Sequence, residues 1–149
     1  KVLTIKSDLP QYDEKLSLLG DTILSAEDLD DAANRVLLER TGMQDVYLEQ
    51  VHTFSKPDRH PGGRVVTAVY ASLLNIKHHE LKILENELSW HVVKDIQEMA
   101  FDHKEILDKA LDTLRTELNL MPVGYNLLPE KFTIPELQKL YETILNYYD

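Results

Sequence analysis

The sequence predicts a mixed α/β domain of the α+β kind, joined to the beginning of a second, helical unit. Three observations carry that reading. Short β-branched or partly alternating runs flank a single amphipathic helix in the first two thirds of the chain. No Gly-x-Gly-x-x-Gly motif follows a strand, so a dinucleotide-binding doubly wound sheet is excluded. Two amphipathic helical patterns close the chain, with a segment holding two prolines and a glycine between them.

Taken in order, KVLTIKS (residues 1–7) is rich in β-formers and has no turn signal before it, so an earlier strand is expected upstream. SDLPQYDE reads as a loop and KLSLLGD (15–21) as a short apolar strand. Ser25 is the expected N-cap of a helix of about 16 residues, with Asp28 as its capping partner. Leu29, Ala32, Ala33, Val36 and Leu37 supply the buried face, and Gly42 the stop. VYLEQVHTFS (46–55), RVVTAVYASLLNI (64–76) and ELSWHVV (87–93) read as strands, giving the order β-β-α-β-β-β.

FDHKEILDKALDTLRTELNL places Ile106, Leu107, Ala110, Leu111, Leu114 and Leu118 on one helical face. MPVGYNLLPEKF reads as a linker. TIPELQKLYETILNYY opens on a capping box, Thr133 with Glu136, with Pro135 tolerated in the first turn. Its stripe of Leu137, Leu140, Tyr141, Ile144 and Leu145 cannot be hidden by one helix, so a boundary is expected near 120–128.

The totals narrow the function. A chain of 149 residues, 43% hydrophobic and 28% charged, suits one globular domain plus a small appendage. Without cysteine there is neither a disulfide scaffold nor a thiolate metal site. No apolar run approaches the roughly 18 residues of a membrane span, so a cytoplasmic setting with no membrane partner is expected. A net charge of −10 opposes a chain-wide nucleic-acid footprint.

The segment DTILSAEDLDDAANRVLLERTGM (21–43) carries the most specific frame. It resembles, without gaps, the signature G-x5-E-x7-R-E-U-x-E-E-x-G-U (U aliphatic) of the Nudix hydrolases, which cleave diphosphates linked to a nucleoside or sugar. The resemblance implies a Nudix α/β/α sandwich with a mixed sheet over residues 1–120. Glu27, Arg35, Leu37, Glu39, Gly42 and Met43 match, whereas Asp21 stands at the first glycine and Val36 and Arg40 replace glutamates.

Those replacements bear on the chemistry. Metal-assisted diphosphate hydrolysis needs several carboxylates on one helical face to hold hard divalent cations. The family places them at the positions of Val36, Glu39 and Arg40, and one of the three remains. A guanidinium where a cation should sit opposes metal binding. No catalytic residue, metal or cofactor is therefore expected. Magnesium enters only under the alternative reading, a hydrolase of ADP-ribose-type substrates with an altered metal site.

DRHPGGRVVTAVYASLL (58–74) resembles the D-x-x-P-x-G-R-V-V-S-x-A-Y stretch of ADP-ribose pyrophosphatase-like Nudix proteins. AFDHKEILDKALDTLR and YNLLPEKFTIPELQKLYETI are similar to the Nudix-related transcriptional regulators, which repress NAD-biosynthesis genes in some bacteria and control arabinose genes in Bacteroidetes. This second likeness implies a sensor for an ADP-ribose-like molecule or a sugar, a C-terminal winged helix-turn-helix that binds DNA, and a homodimer. Residues 121–149 would be the linker and first helix of that winged helix. Residues 101–149 carry nine acidic and five basic side chains, the wrong sign for phosphate contact, so a basic recognition helix and wing are expected beyond them.

Ligand-binding candidates are Arg35, Glu39, Asp58 and Arg64. Arg64 could grip a phosphate or sugar hydroxyls through its planar fork. Gly63 before it is expected to let the backbone turn. Arg35 and Glu39 could equally form an internal pair that stiffens the helix. His78 and His79 beside Glu80 read as solvated loop residues, His60, His91 and His103 show no partner at ligand spacing, and Tyr141, Tyr147 and Tyr148 read as packing.

Overall fold

The computed structural model describes residues 1–77, 79, 81, 88–120, 128 and 131–145. Its elements run β1 (Val2–Lys6), β2 (Leu16–Ser17), α1 (Leu29–Thr41), β3 (Glu49–Phe54), β4 (Thr67–Ala71), β5 (Ser89–His91), α2 (His103–Leu120) and α3 (Ile134–Leu145). The β-β-α-β-β-β order and both C-terminal helices agree with the sequence expectation. Each strand is shorter than its hydrophobic run, because ladder pairing rather than composition sets where a strand ends. The presumed loop before β2 holds one 3-10 turn, Pro10–Tyr12, with proline in its first turn.

β1 is the centre of a three-stranded sheet, antiparallel to β2 (Ile5 opposite Ser17) and to β5 (Leu3 opposite Trp90). β3 and β4 form a separate antiparallel ribbon with a register shift between Gln50 and His52. The ladders among the described residues are thus antiparallel. Val93, Ile96, Met99 and Leu107 form the core cluster, joined by Val2, Leu16, Leu18 and Leu111. Ile106 and Leu118 of the expected α2 face are buried as well. The backbone of Ala100 donates to Leu16 O (2.8 Å), which pins the start of α2 against β2.

The expected N-cap of α1 is corrected. Ser25 lies outside the helix. The cap is Asp28, whose carboxylate accepts from Asp31 N (2.9 Å), so the helix has 13 residues. Glu27 explains the difference. Its carboxylate accepts the Leu24 amide (2.7 Å) and folds residues 24–27 into a turn before the helix begins. Gly42 closes the helix in the left-handed region (φ 73°), its amide donating to Leu38 O, as its glycine suggests.

α3 behaves differently from the rest. Thr133 donates to Glu136 from both its amide (2.7 Å) and its hydroxyl (2.9 Å), so the box is half formed, without the reciprocal bond from the Glu136 amide to the hydroxyl. Its stripe of Leu137, Leu140, Tyr141 and Ile144 is only partly covered, Leu145 is exposed, and no residue of the helix is buried. The linker residues 121–127 and 129–130, the loop residues His78 and Glu80, and Tyr147 and Tyr148 lie outside the described residues. Among the described residues no helix is long and apolar enough to cross a membrane.

Candidate functional site

The turn before α1 and the helix itself are tied by one arginine. Arg35 Nε and Nη2 donate to the two oxygens of Glu27 (2.8 and 2.6 Å), its Nη1 to Glu39 Oε2 (3.0 Å), and Nη2 also to Thr22 O (2.9 Å). These charge-assisted bonds to the Arg35 fork, then the Leu24 amide, hold the Glu27 carboxyl down at about 2. The same carboxylates push Arg35 further up from its already high value. Glu39 thus serves as an ion-pair partner, one turn along the same helix face. The internal-pair reading of Arg35 and Glu39 matches this geometry.

On the adjoining edge, two departures from the Nudix pattern meet. Arg40 Nη2 donates to Asp21 Oδ2 (3.1 Å), and Asp21 Oδ1 accepts the Thr22 amide (2.7 Å). The Thr22 amide, followed by the Arg40 charge, draws the Asp21 carboxyl below its ordinary range. Asp21 replaces a glycine and Arg40 a glutamate, and each supplies what the other lacks. Arg40 also lines a cavity of about 280 Å³ between β1, β2 and the start of α2, together with Lys6, Asp8, Ser17, Gly20 and Phe101.

Magnesium does not fit this site. Glu39 is engaged by Arg35, Val36 offers no ligand atom, and Arg40 brings a cation. Among the described residues no three His, Asp or Glu side chains cluster as a metal site. A hard divalent ion needs several oxygen donors with net negative charge.

The loop before β4 divides its roles unexpectedly. Arg64 is exposed and donates to Ser55 O (2.6 Å), and Asp58 is exposed. Neither lines the 280 Å³ cavity, nor does Glu39. Gly63 adopts φ 122°, and a Cβ there would meet nothing within 4 Å, so its glycine is required by backbone conformation alone. The buried arginine of this loop is Arg59. Its Nε and Nη2 donate to both oxygens of Asp102 (2.8 Å each) and its Nη1 to Thr67 Oγ1 (2.6 Å), with 4% of its side chain exposed. Lys56 adds a second bond from this loop to Glu105 (2.9 Å). Asp102 immediately precedes α2 and Glu105 lies in its first turn, so the loop is fastened to the start of that helix.

Beside this clamp, Phe101 takes φ 54°, a costly backbone region for an aromatic residue. Its ring stacks on His60 (5.0 Å) and packs against Tyr12 (4.5 Å) and His103 (5.2 Å). His103 Nδ1 accepts the Leu18 amide (2.9 Å), which fixes a neutral ring with its hydrogen on Nε2. Burial lowers its pKa to about 4. His91 bonds Thr4 Oγ1 (2.8 Å), and His79 Nδ1 lies 3.2 Å from Asn75 O.

Sequence reasoning did not single out Arg59, Asp102 or Phe101. A signal existed: Arg59 lies inside the quoted DRHPGGR stretch, and Phe101 and Asp102 inside AFDH. What the pattern lacks is pairing, since 43 positions separate Arg59 from Asp102.

Residues 124–147 match the model of the NrtR DNA-binding winged helix domain. The chain is 36% identical over 118 residues to the ADPR-responsive transcriptional repressor NtrR of Acinetobacter baylyi, a match that covers 77% of this chain and 47% of that protein. The chain is therefore similar to the NrtR-type Nudix-related proteins. It spans about half the length of that curated relative. Among solved structures, NrtR of Shewanella oneidensis complexed with a 27mer DNA superposes with a TM-score of 0.81 at 28% identity, covering 98% of this chain and 69% of that one. The NUDIX domain of the same protein, complexed with ADP ribose, superposes with a TM-score of 0.64 at 26% identity over 76% of this chain and 77% of that one. The NrtR-type likeness therefore extends over both the Nudix-like part and α3.

Proposed function

We propose that this chain is the sensor portion of a DNA-binding transcriptional regulator. In this reading residues 1–120 form a Nudix-like domain that binds an ADP-ribose-like molecule or a sugar, and residues 121–149 belong to the winged helix. One observation carries it: a winged-helix match at 124–147 follows a Nudix frame whose carboxylate positions hold Val36 and Arg40. The ADP-ribose complex and the DNA complex of structural relatives support the two ligand classes.

Mechanistically, the effector must bind one arrangement of the winged helices better than another, since only differential affinity shifts an equilibrium. The Arg59–Asp102 clamp offers a route. Any change in the loop that carries Asp58 and Arg64 is passed to the start of α2 rather than absorbed locally. A homodimer on a palindromic operator and a cytoplasmic setting complete the reading.

Operator binding by the full-length protein, measured by fluorescence anisotropy across a salt series, tests it. Affinity should fall steeply with salt, and ADP-ribose or a pentose should change it at fixed salt. Operator affinity indifferent to every nucleotide sugar and free sugar tried would sink the sensor reading. The alternative, a hydrolase, predicts metal-dependent turnover of ADP-ribose that is lost on Glu39→Gln. The sensor reading expects no such turnover with magnesium or manganese, because Glu39 is held by Arg35 and its neighbours are Val36 and Arg40.

A further inference from the structure

We propose that Phe101 is a loaded joint: its backbone is strained in the observed state, the Arg59–Asp102 pair holds it there, and opening of that pair lets it relax and turns the start of α2. As the moving part of the sensor proposed above, the joint rests on that reading for its effect on DNA.

The strain is specific. Among the described residues, positive φ outside glycine occurs at Glu14, Asp45 and Phe101. Glu14 and Asp45 are exposed, whereas Phe101 is partly buried. The His103 amide donates to Ala100 O (3.1 Å), which makes residues 100–103 a hydrogen-bonded turn. Its second position takes φ 54°, a conformation that glycine or asparagine usually supplies. A bulky residue keeps such a backbone only where its surroundings over-determine it, and such places cluster at switches.

Here the surroundings pull from two sides. Toward β2, the fully buried Ala100 donates its amide to Leu16 O (2.8 Å), and His103 Nδ1 accepts the Leu18 amide (2.9 Å). Toward the loop before β4, Asp102 takes both Arg59 bonds (2.8 Å each) and Glu105 takes Lys56 (2.9 Å). The Phe101 ring is shared in the same way, between Tyr12 ahead of β2 and His60 of the loop. The turn is therefore where β2 and the loop are fastened to one helix.

Of these ties the Arg59–Asp102 pair is the most costly to break, because 4% and 13% of its two side chains are exposed. With the pair open, the torsional preference of Phe101 is no longer opposed at Asp102. A return to negative φ reorients the first turn of α2 relative to β2. α2 touches α3, so the change reaches the segment matched to the winged helix. The same loop carries the exposed Asp58 and Arg64. A ligand held there biases the switch if it prefers one of the two backbone states.

Hydrogen exchange by mass spectrometry on the full-length protein tests the joint, with thermal melting to check that each variant folds. Asp102→Asn should speed the opening of residues 101–108 by about tenfold or more, since it breaks a buried pair. In the Phe101→Gly background, where positive φ carries no penalty, the same substitution should speed it by less than about threefold. Phe101→Leu loses the ring but keeps the Cβ, so its background should preserve the tenfold response. Additive effects of Asp102→Asn and Phe101→Gly would overturn the proposal, as would a Phe101→Leu background that behaves like Phe101→Gly. Operator affinity with and without ADP-ribose gives the functional side. Phe101→Gly should bring the ratio of those two affinities toward one, and Phe101→Leu should leave it as in the unaltered protein. An equal ratio in all three folded proteins would remove the switching role. Operator binding by the unaltered protein that ignores ADP-ribose would count against the sensor reading, and the exchange results would still decide the joint.

Discussion

Arg59 and Arg64 sit in one loop and meet opposite environments. Arg59 is buried, with its fork closed on Asp102 and Thr67, whereas Arg64 is exposed and holds a single carbonyl at Ser55. In the sequence Arg64 is the more conspicuous, since it follows Gly63 and opens a β-branched run. The difference teaches where charge can be stored and where it can be used. A guanidinium whose donors are met by buried acceptors is a structural bolt. One that keeps donors toward solvent can exchange them for a ligand.

The largest expected effect comes from breaking the bolt. Arg59→Ala leaves the Asp102 carboxylate covered and without its partner, which should cost about 3–5 kcal/mol in urea unfolding. Loss of under about 1 kcal/mol would mean that water or Lys56 replaces Arg59 and that the loop is not clamped to α2.

A smaller effect lies in the neighbouring histidine. Unfolded, His103 takes up a proton near its ordinary pKa of 6.5, whereas burial in the fold lowers that value to about 4. The unfolded state therefore binds more protons between those values. Stability from this group is fully present above about pH 6.5 and is lost as pH falls toward 4, at a slope approaching about 1.4 kcal/mol per unit. His103→Asn, whose carbonyl oxygen can still accept the Leu18 amide, should flatten that part of the pH profile. An unchanged profile would place the titration elsewhere.

Smallest in stability, and sharpest for function, is Arg64→Ala. An exposed side chain with one carbonyl partner should shift unfolding by no more than about 0.5 kcal/mol. If Arg64 meets the effector through charge-assisted bonds, the same substitution should lower effector affinity by about tenfold while operator binding without effector persists. Unchanged effector affinity would return Arg64 to holding the loop through Ser55 alone. A large loss of stability would erase its contrast with Arg59.

Much of the fold was legible along the chain. The order of elements follows from periodicity, because one buried face per helix and β-branched enrichment per strand are local properties. Gly42 and Gly63 announced their conformations, since positive φ is where glycine costs nothing. The altered Nudix frame could be read residue by residue, including the loss of carboxylates at Val36 and Arg40. The start of α1 was misjudged at Ser25 because two capping residues compete within four positions, and only the bond from Leu24 to Glu27 decides for Asp28.

What the sequence by itself determined is therefore the class of the domain, its resemblance to a Nudix frame and the two carboxylate positions lost from its helix, all set by the kinds of residue at fixed local spacings. Tertiary structure alone decided the pairings. Asp21 meets Arg40, Arg59 meets Asp102, and the Phe101 ring packs among Tyr12, His60 and His103. Coulomb attraction and hydrogen bonding act through space over a few ångströms, and a linear pattern holds no record of which distant residues the chain brings within that reach.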